Sequence, residues 1–187
     1  MSENDQTESI VQDTKSRMDR SLENFKRELN TIRSSRANPA MLDGLTAEYY
    51  GAETPLNQLA TISVPEARMI LISPFDKTSL ASIEKAILKS DLNLTPSNDG
   101  TVIRLTLPEM TMDRRQELVK QVKQRLEETK VAIRNVRRDA NDDLKKLTHL
   151  SKDEQKHYQD EIQKLTDGQT QKADEIAKEK EDSILTV

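Results

Sequence analysis

MDRRQELVKQVKQRLEETKVAIRNVRRDANDDLKKL, residues 112–147, runs without a proline or a glycine. Leu118, Val122, Leu126, Ile133, Val136, Ala140, Leu144 and Leu147 carry its apolar rhythm. They recur every three or four residues, or seven across a gap, and so form one stripe on a helix about 54 Å long at 1.5 Å per residue. Thr111 offers an N-cap oxygen and Asp113 a favourable first-turn charge. A rod of that length cannot bury its stripe alone and needs partner helices.

The partners lie on either side. Residues 1–38 and 109–187 contain no proline and only Gly168, whereas all six prolines fall between Pro39 and Pro108, with Gly44, Gly51 and Gly100. Proline and glycine end helices and build turns. The chain therefore divides into helical ends, 1–32 and 109–187, and an inserted domain, 33–108, with crossings at 33–39 and 106–109. The first end carries Val11, Met18, Leu22, Phe25, Leu29 and Ile32 on one stripe. The last carries Tyr158, Ile162, Leu165, Ala173 and Ile176, and SKDE (151–154) has capping-box spacing with Leu150 as its staple. Together these predict a three-helix bundle.

The insert reads differently. Leu45–Tyr50, Leu59–Val64, Met69–Pro74 and Thr101–Leu107 read as short strands, and Asn98-Asp99-Gly100 as a turn. Ser79–Ser90 reads as an amphipathic helix with Leu80, Ile83, Ile87 and Leu88 inward. The fold class is α+β: an elongated three-helix bundle with a small inserted β/α/β domain. Two crossings side by side would make a hinge.

With 33% charged and 3% aromatic residues and no cysteine, the chain excludes a disulfide scaffold, a thiolate zinc site and a cysteine nucleophile. No apolar run approaches the roughly 18–20 residues that span a bilayer. Met1–Ser9 is polar and acidic, unlike a secretion signal, so the expected compartment is the cytoplasm. His149 and His157 stand apart without a metal-type carboxylate pattern, and no phosphate-binding glycine loop or nucleophile elbow is present. No metal, cofactor or catalytic residue is expected. The five aromatic residues are scattered and mostly suit core positions rather than a base-stacking platform.

The net charge of −4 hides a pattern: residues 112–147 hold eleven basic against seven acidic side chains, and every other segment is acidic. On a helical projection Lys120, Lys123, Lys130, Arg134, Arg137, Arg138 and Lys145 share an arc of roughly 100°, with Glu127 the one acid in it. The apolar stripe lies about 95° away, so the arc can stay exposed. Such a face is either simply solvated or binds phosphates; segregated signs and clustered arginines raise the second reading to the level of the first, and the residues alone leave both open.

RANPAMLDG (36–44), YYG (49–51), TPL (54–56), QLA (58–60), IEKAI (83–87), SDL (90–92), NDG (98–100) and IRL (103–105) occur in order, followed by KVAIRNVRRDA (130–140). From about residue 10 onward the chain resembles the bacterial ribosome recycling factor family. The resemblance implies an L-shaped molecule of transfer-RNA-like outline with a flexible elbow. It implies a monomeric translation factor, not an enzyme, that binds the post-termination ribosome. With elongation factor G and GTP it would promote subunit splitting and release from messenger RNA.

Mapped onto this sequence, the family's basic face is Lys130, Arg134, Arg137 and Arg138, joined by Lys123 from the arc, and is expected to meet large-subunit ribosomal RNA. The hinge maps onto Arg33, Ser35, Arg36, Pro39 and Pro108. Two departures stand out. Ser34-Ser35-Arg36 replaces the family's Thr-Gly-Arg, which implies an elbow that is either not left-handed at Ser35 or stiffer. Leu92-Asn93-Leu94 replaces Leu-Gly-Leu, a change that asparagine's tolerance of left-handed backbone accommodates. A helical coiled-coil chaperone or adaptor is the alternative reading; it predicts exposed apolar tips and salt-insensitive binding.

Overall fold

A computed structural model describes residues 2–33 and 36–186. The chain separates into two compact units, one of Met1–Arg33 with Asp113–Thr186 and one of Ser34–Met112. Ser35, expected in the hinge, lies outside the described residues, as does Ser34. Among the described residues no helix is long and apolar enough to cross a membrane.

The first unit is a bundle of three helices, α1 (Glu3–Asn30), α4 (Met112–Lys145) and α5 (Lys152–Leu185), where α4 and α5 are numbered after the elements of the insert. Both α1 and α5 begin with a capping box. On α5 the Ser151 hydroxyl accepts from Glu154 N–H at 3.2 Å, and the Glu154 carboxylate accepts from Ser151 N–H at 2.8 Å. The Ser151 N–H foremost, and the Ser151 hydroxyl next, hold the Glu154 carboxyl below its ordinary value. Ser2 and Asp5 do the same for α1. Inside, Met18, Leu22, Phe25 and Leu29 of α1 are buried, as are Leu118, Val122, Ile133 and Val136 of α4 and Ile162, Ala173 and Ile184 of α5. At one end Ala140, Leu144 and Ile162 form a cluster covered by Ile10, Leu147, Leu150 and Tyr158.

The stripes are less apolar than expected. Val11, Leu126, Leu165 and Ile176 are only half-buried, and Thr7, Thr14, Thr129, Thr166 and Gln169 are buried instead. The reason is local. Each threonine hydroxyl donates to a carbonyl about one turn back on its own helix, to Asn4, Ile10, Arg125 and Ile162 respectively, which satisfies the hydroxyl without a partner across the core. Arg115 is also buried, with Nη1 donating to the Leu185 carbonyl at 3.3 Å near the end of α5.

The second unit runs β1 (Thr46–Tyr49), β2 (Ala52–Pro55), the single-turn α2 (Leu56–Leu59), β3 (Ala60–Glu66), β4 (Met69–Pro74), α3 (Leu80–Lys89), β5 (Pro96–Asn98) and β6 (Ile103–Thr106). β1 and β2 form a hairpin; the other strands make an antiparallel sheet in the order β3-β4-β6-β5. Ile70, Ile72, Ile103 and Leu105 of the sheet, Ile83 and Ile87 of α3, and Leu42 and Leu56 share one core. Leu88, expected to face it, is 61% exposed, because it follows Ile87 by 100° around the helix. The strands β2 and β5 are additional to the sequence reading; at three or four residues, with Pro55 and Pro96 in them, neither shows an alternating pattern.

Turn chemistry shapes this unit. Tyr50 (φ 50°) and Gly51 (φ 78°) are both left-handed and close a two-residue hairpin loop between Tyr49 and Ala52, the primed geometry that matches strand twist. Asn93 is left-handed as well (φ 54°), in place of the family's glycine. Asp99 accepts from the N–H groups of Thr101 and Val102 and from Arg104 Nη1 at 2.8 Å. Those bonds, the backbone ones foremost, lower its carboxyl from 3.8 to about 2. Tyr50 and Phe75, aromatic residues of which most were expected in cores, are 85% and 69% exposed: the turn holding Tyr50 has no layer above it, and Phe75 follows the last residue of β4.

Candidate RNA-binding face

α4 carries the candidate site. Leu118, Val122, Ile133, Val136, Ala140 and Leu144 hold it in the bundle, which leaves the cationic arc outward. Lys123, Arg134 and Arg138 are exposed, as are Lys120 and Lys145, and none of the five has a hydrogen bond or ion pair among the described residues. Other cations of the helix are paired. Arg114 bridges Glu117 at 3.0 Å, Arg125 bridges Glu128 at 3.4 Å and Glu28 of α1 at 3.8 Å, and Lys146, just past the end of α4, lies 3.9 Å from Asp143. Ion pairing within α4 therefore stays off the arc, and the arc's potential is not cancelled from within its own helix.

Two expected members are placed differently. Lys130 has a side chain only 19% exposed, and its ammonium sits 2.7 Å from Asp174 of α5. Arg137 is half-buried; its Nη1 donates to Gln163 Oε1 at 3.0 Å, and Gln163 Nε2 in turn donates to Asp167 at 2.9 Å. Both were expected as open cations, and both are engaged with α5. The physical reason is their position on the edge of the arc nearest the α4–α5 seam, where a long stem packs while its charged head reaches an acid on the neighbouring helix. The i,i+7 spacing of Asp167 and Asp174 matches that of Lys130 and Arg137, a signal readable only once the register of the two helices is known.

The expected hinge residues sit at the chain crossings. Arg33 and Arg36 are exposed. Pro39 opens a 3₁₀ turn, Pro39–Leu42, capped by Asn38, whose Oδ1 accepts from Ala40 N–H at 2.9 Å. Pro108 is exposed on the return. The incoming strand donates Ala37 N–H to the Ala67 carbonyl at 2.7 Å, and the outgoing one donates Leu107 N–H to the Arg68 carbonyl at 2.8 Å. Consecutive residues of the β3–β4 turn thus hold both crossings side by side. Arg68 also approaches Glu109 at 4.0 Å.

A face of unpaired lysine and arginine on a straight helix can bind a phosphate backbone through charge and shape. No aromatic residue lies on α4, so it has no platform for stacking bases. His149 and His157 are exposed, and among the described residues no group of histidine, aspartate and glutamate is disposed to hold a metal ion.

The family model for ribosome recycling factor matches residues 25–185. The ribosome-recycling factor of Shouchella clausii (strain KSM-K16) is 58% identical over 184 residues, covering 97% of this chain and 100% of the relative. That of Bacillus subtilis (strain 168) is 53% identical with the same coverage. Among solved structures, a solution structure of the ribosome recycling factor superposes with a TM-score of 0.79 at 40% identity, covering 97% of this chain and 98% of the other. A second match, a model of the Thermus thermophilus factor bound with Escherichia coli elongation factor G to the post-termination complex, has a TM-score of 0.65 at 47% identity, with 96% and 98% coverage.

Proposed function

The chain belongs to the ribosome recycling factor family, and we propose that the open cations of α4 are the surface by which it grips ribosomal RNA. It is a translation factor that recycles ribosomes after termination, acting with elongation factor G on the post-termination complex, and it is not an enzyme. Lys123, Arg134 and Arg138 dock the bundle on the phosphate backbone of the large subunit. The observation that carries this reading is that these three remain exposed and unpaired while neighbouring cations of the same helix are in ion pairs.

The rest of the mechanism follows from the two-unit construction. Three packed helices resist bending, so the bundle serves as a lever held at the RNA. The crossings at Arg33, Arg36 and Pro108 serve as the elbow about which the small unit turns. Support for this comes from the neighbouring Ala37 and Leu107, which bond to Ala67 and Arg68 and gather both strands at one point of the small unit. The partner's nucleotide cycle supplies the free energy, the small unit receives the push, and contacts between ribosomal subunits give way.

The test is equilibrium binding to large ribosomal subunits across a salt series, with Arg134 and Arg138 both changed to Gln. Each lost phosphate contact flattens the plot of log K against log salt by about 0.7–0.9, so the pair should flatten it by roughly 1.4–1.8. An unchanged slope would remove this face from docking.

A further inference from the structure

The seven cations of the arc fall into two classes. Five are open, and two, Lys130 and Arg137, are held by α5. The holding groups form a ladder. Lys130 and Arg137 are seven residues apart on α4, and Asp174 and Asp167 are seven apart on α5, counted in the opposite chain direction. At the upper rung the ammonium meets Asp174 directly at 2.7 Å; at the lower rung Gln163 relays between Arg137 and Asp167. The lower rung leaves Arg137 Nε buried without a hydrogen-bond partner. Asp174 itself is 52% exposed. A carboxylate so exposed, on the border of a phosphate-binding face, faces the same solvent the RNA backbone would enter.

We propose that Asp174 is a competing anion that tunes this grip: it occupies Lys130 in the free protein and yields it to an RNA phosphate only in exchange. The inference rests on the docking role of α4 argued above. Asp174 touches no RNA; it is a positioning residue that acts through Lys130. The exchange gives back part of what the phosphate contact gains, because the Lys130–Asp174 pair, mostly covered at Lys130 and half-exposed at Asp174, is broken to make it. It also changes the ion count. When an open lysine meets a phosphate, a condensed counterion is released. When Lys130 does so, the Asp174 carboxylate stays beside the phosphates and offsets the lysine's charge there, so the pair displaces little net counterion. Lys130 therefore adds contact without adding salt dependence, and the factor holds the ribosome less tightly than its cation count implies. A protein that must leave at the end of each cycle gains from such a brake.

The experiment is a cycle of variants of the full chain, wild type, D174N, K130Q and the double variant, each titrated against large ribosomal subunits over a salt series. D174N should bind about 2- to 5-fold tighter at low salt, the factor an exposed ion pair represents, and its slope should steepen by about 0.7–0.9. K130Q alone should leave the slope where it is, and adding K130Q to D174N should return it to the wild-type value. D174S, measured alongside, repeats the first result with a different side chain, so a folding defect in either variant does not decide the outcome. A slope unmoved in both D174N and D174S, or flattened by K130Q alone, overturns the proposal. If Arg134 and Arg138 still flatten the slope when replaced while D174N does nothing, only this inference falls; if they do not, the docking role falls with it.

Discussion

The small unit and the bundle bury their interiors differently. In the small unit the buried set is aliphatic nearly throughout, and Ser79 is its one buried polar side chain among the described residues. In the bundle Thr7, Thr14, Arg115, Thr129, Thr166 and Gln169 are buried beside the leucines and isoleucines. A twisted sheet with a helix across it closes around one patch, where every inward side chain meets many others. Long helices meet along a narrow seam, and a threonine that bonds its own helix can sit there with its methyl inward. The apolar core is therefore one compact patch in the small unit and a long polar-flecked seam in the bundle, whose surface is left free to carry charge.

The largest effect that would test this contrast is Ile70→Ala. Ile70 is fully buried on β4, between β3 and β6, and its truncation should cost about 2–5 kcal/mol. Hydrogen exchange should show the loss confined to Ser34–Met112; equal deprotection of the bundle helices would break the picture of two independent cores. The matching arm is Gln169→Leu in the bundle. Gln169 donates to Asp19 at 2.8 Å but leaves its own Oε1 buried without a partner, so the change in stability should stay within about 1 kcal/mol. A loss as large as Ile70's would show that the polar seam carries the bundle.

A smaller effect is expected at the hairpin. Tyr50→Asn should stabilise the small unit by about 1 kcal/mol in thermal or urea unfolding, because tyrosine is strained at φ 50° where asparagine is at ease, and the 85% exposed ring gives up little packing. Destabilisation would mean that the edge-on contact of Tyr50 with Tyr49, at 4.5 Å between ring centres, outweighs the strain.

The last effect is confined to acid. Asp99 titrates near 2 in the folded chain against an ordinary 3.8, so the stability it lends is complete above 3.8 and is lost as pH falls toward 2. Melting temperatures of Asp99→Asn and wild type between pH 4 and 2 should therefore converge. Parallel curves would show that the turn does not feel that carboxylate.

Much of this was legible from residues alone. The proline-free flanks and the 3–4 spacing of Leu118, Val122, Ile133, Val136, Ala140 and Leu144 announce the bundle, and Ser151 with Glu154 marks the start of α5. Asn98-Asp99-Gly100 marks its turn, whereas the left-handed backbone at Asn93 was implied only by the resemblance to a family with glycine there. β2 and β5 were not legible, since AETP, four residues, and PSN, three, carry no alternation; they are strands because β1 and β6 lie alongside. Among the candidate site residues, the exposure of Lys123, Arg134 and Arg138 could be read from one helix, as it depends on that helix's own stripe. Lys130 and Arg137 could not, for their partners lie on another.

Sequence by itself determined which segments are helical, where the chain changes character and on which helix positive charge collects, because these depend on spacing within about two turns of backbone. Tertiary structure decided which of those charges are open. Whether a lysine faces solvent or an aspartate is set by the register of α4 against α5, and that register comes from the packing of both stripes at once rather than from either sequence alone.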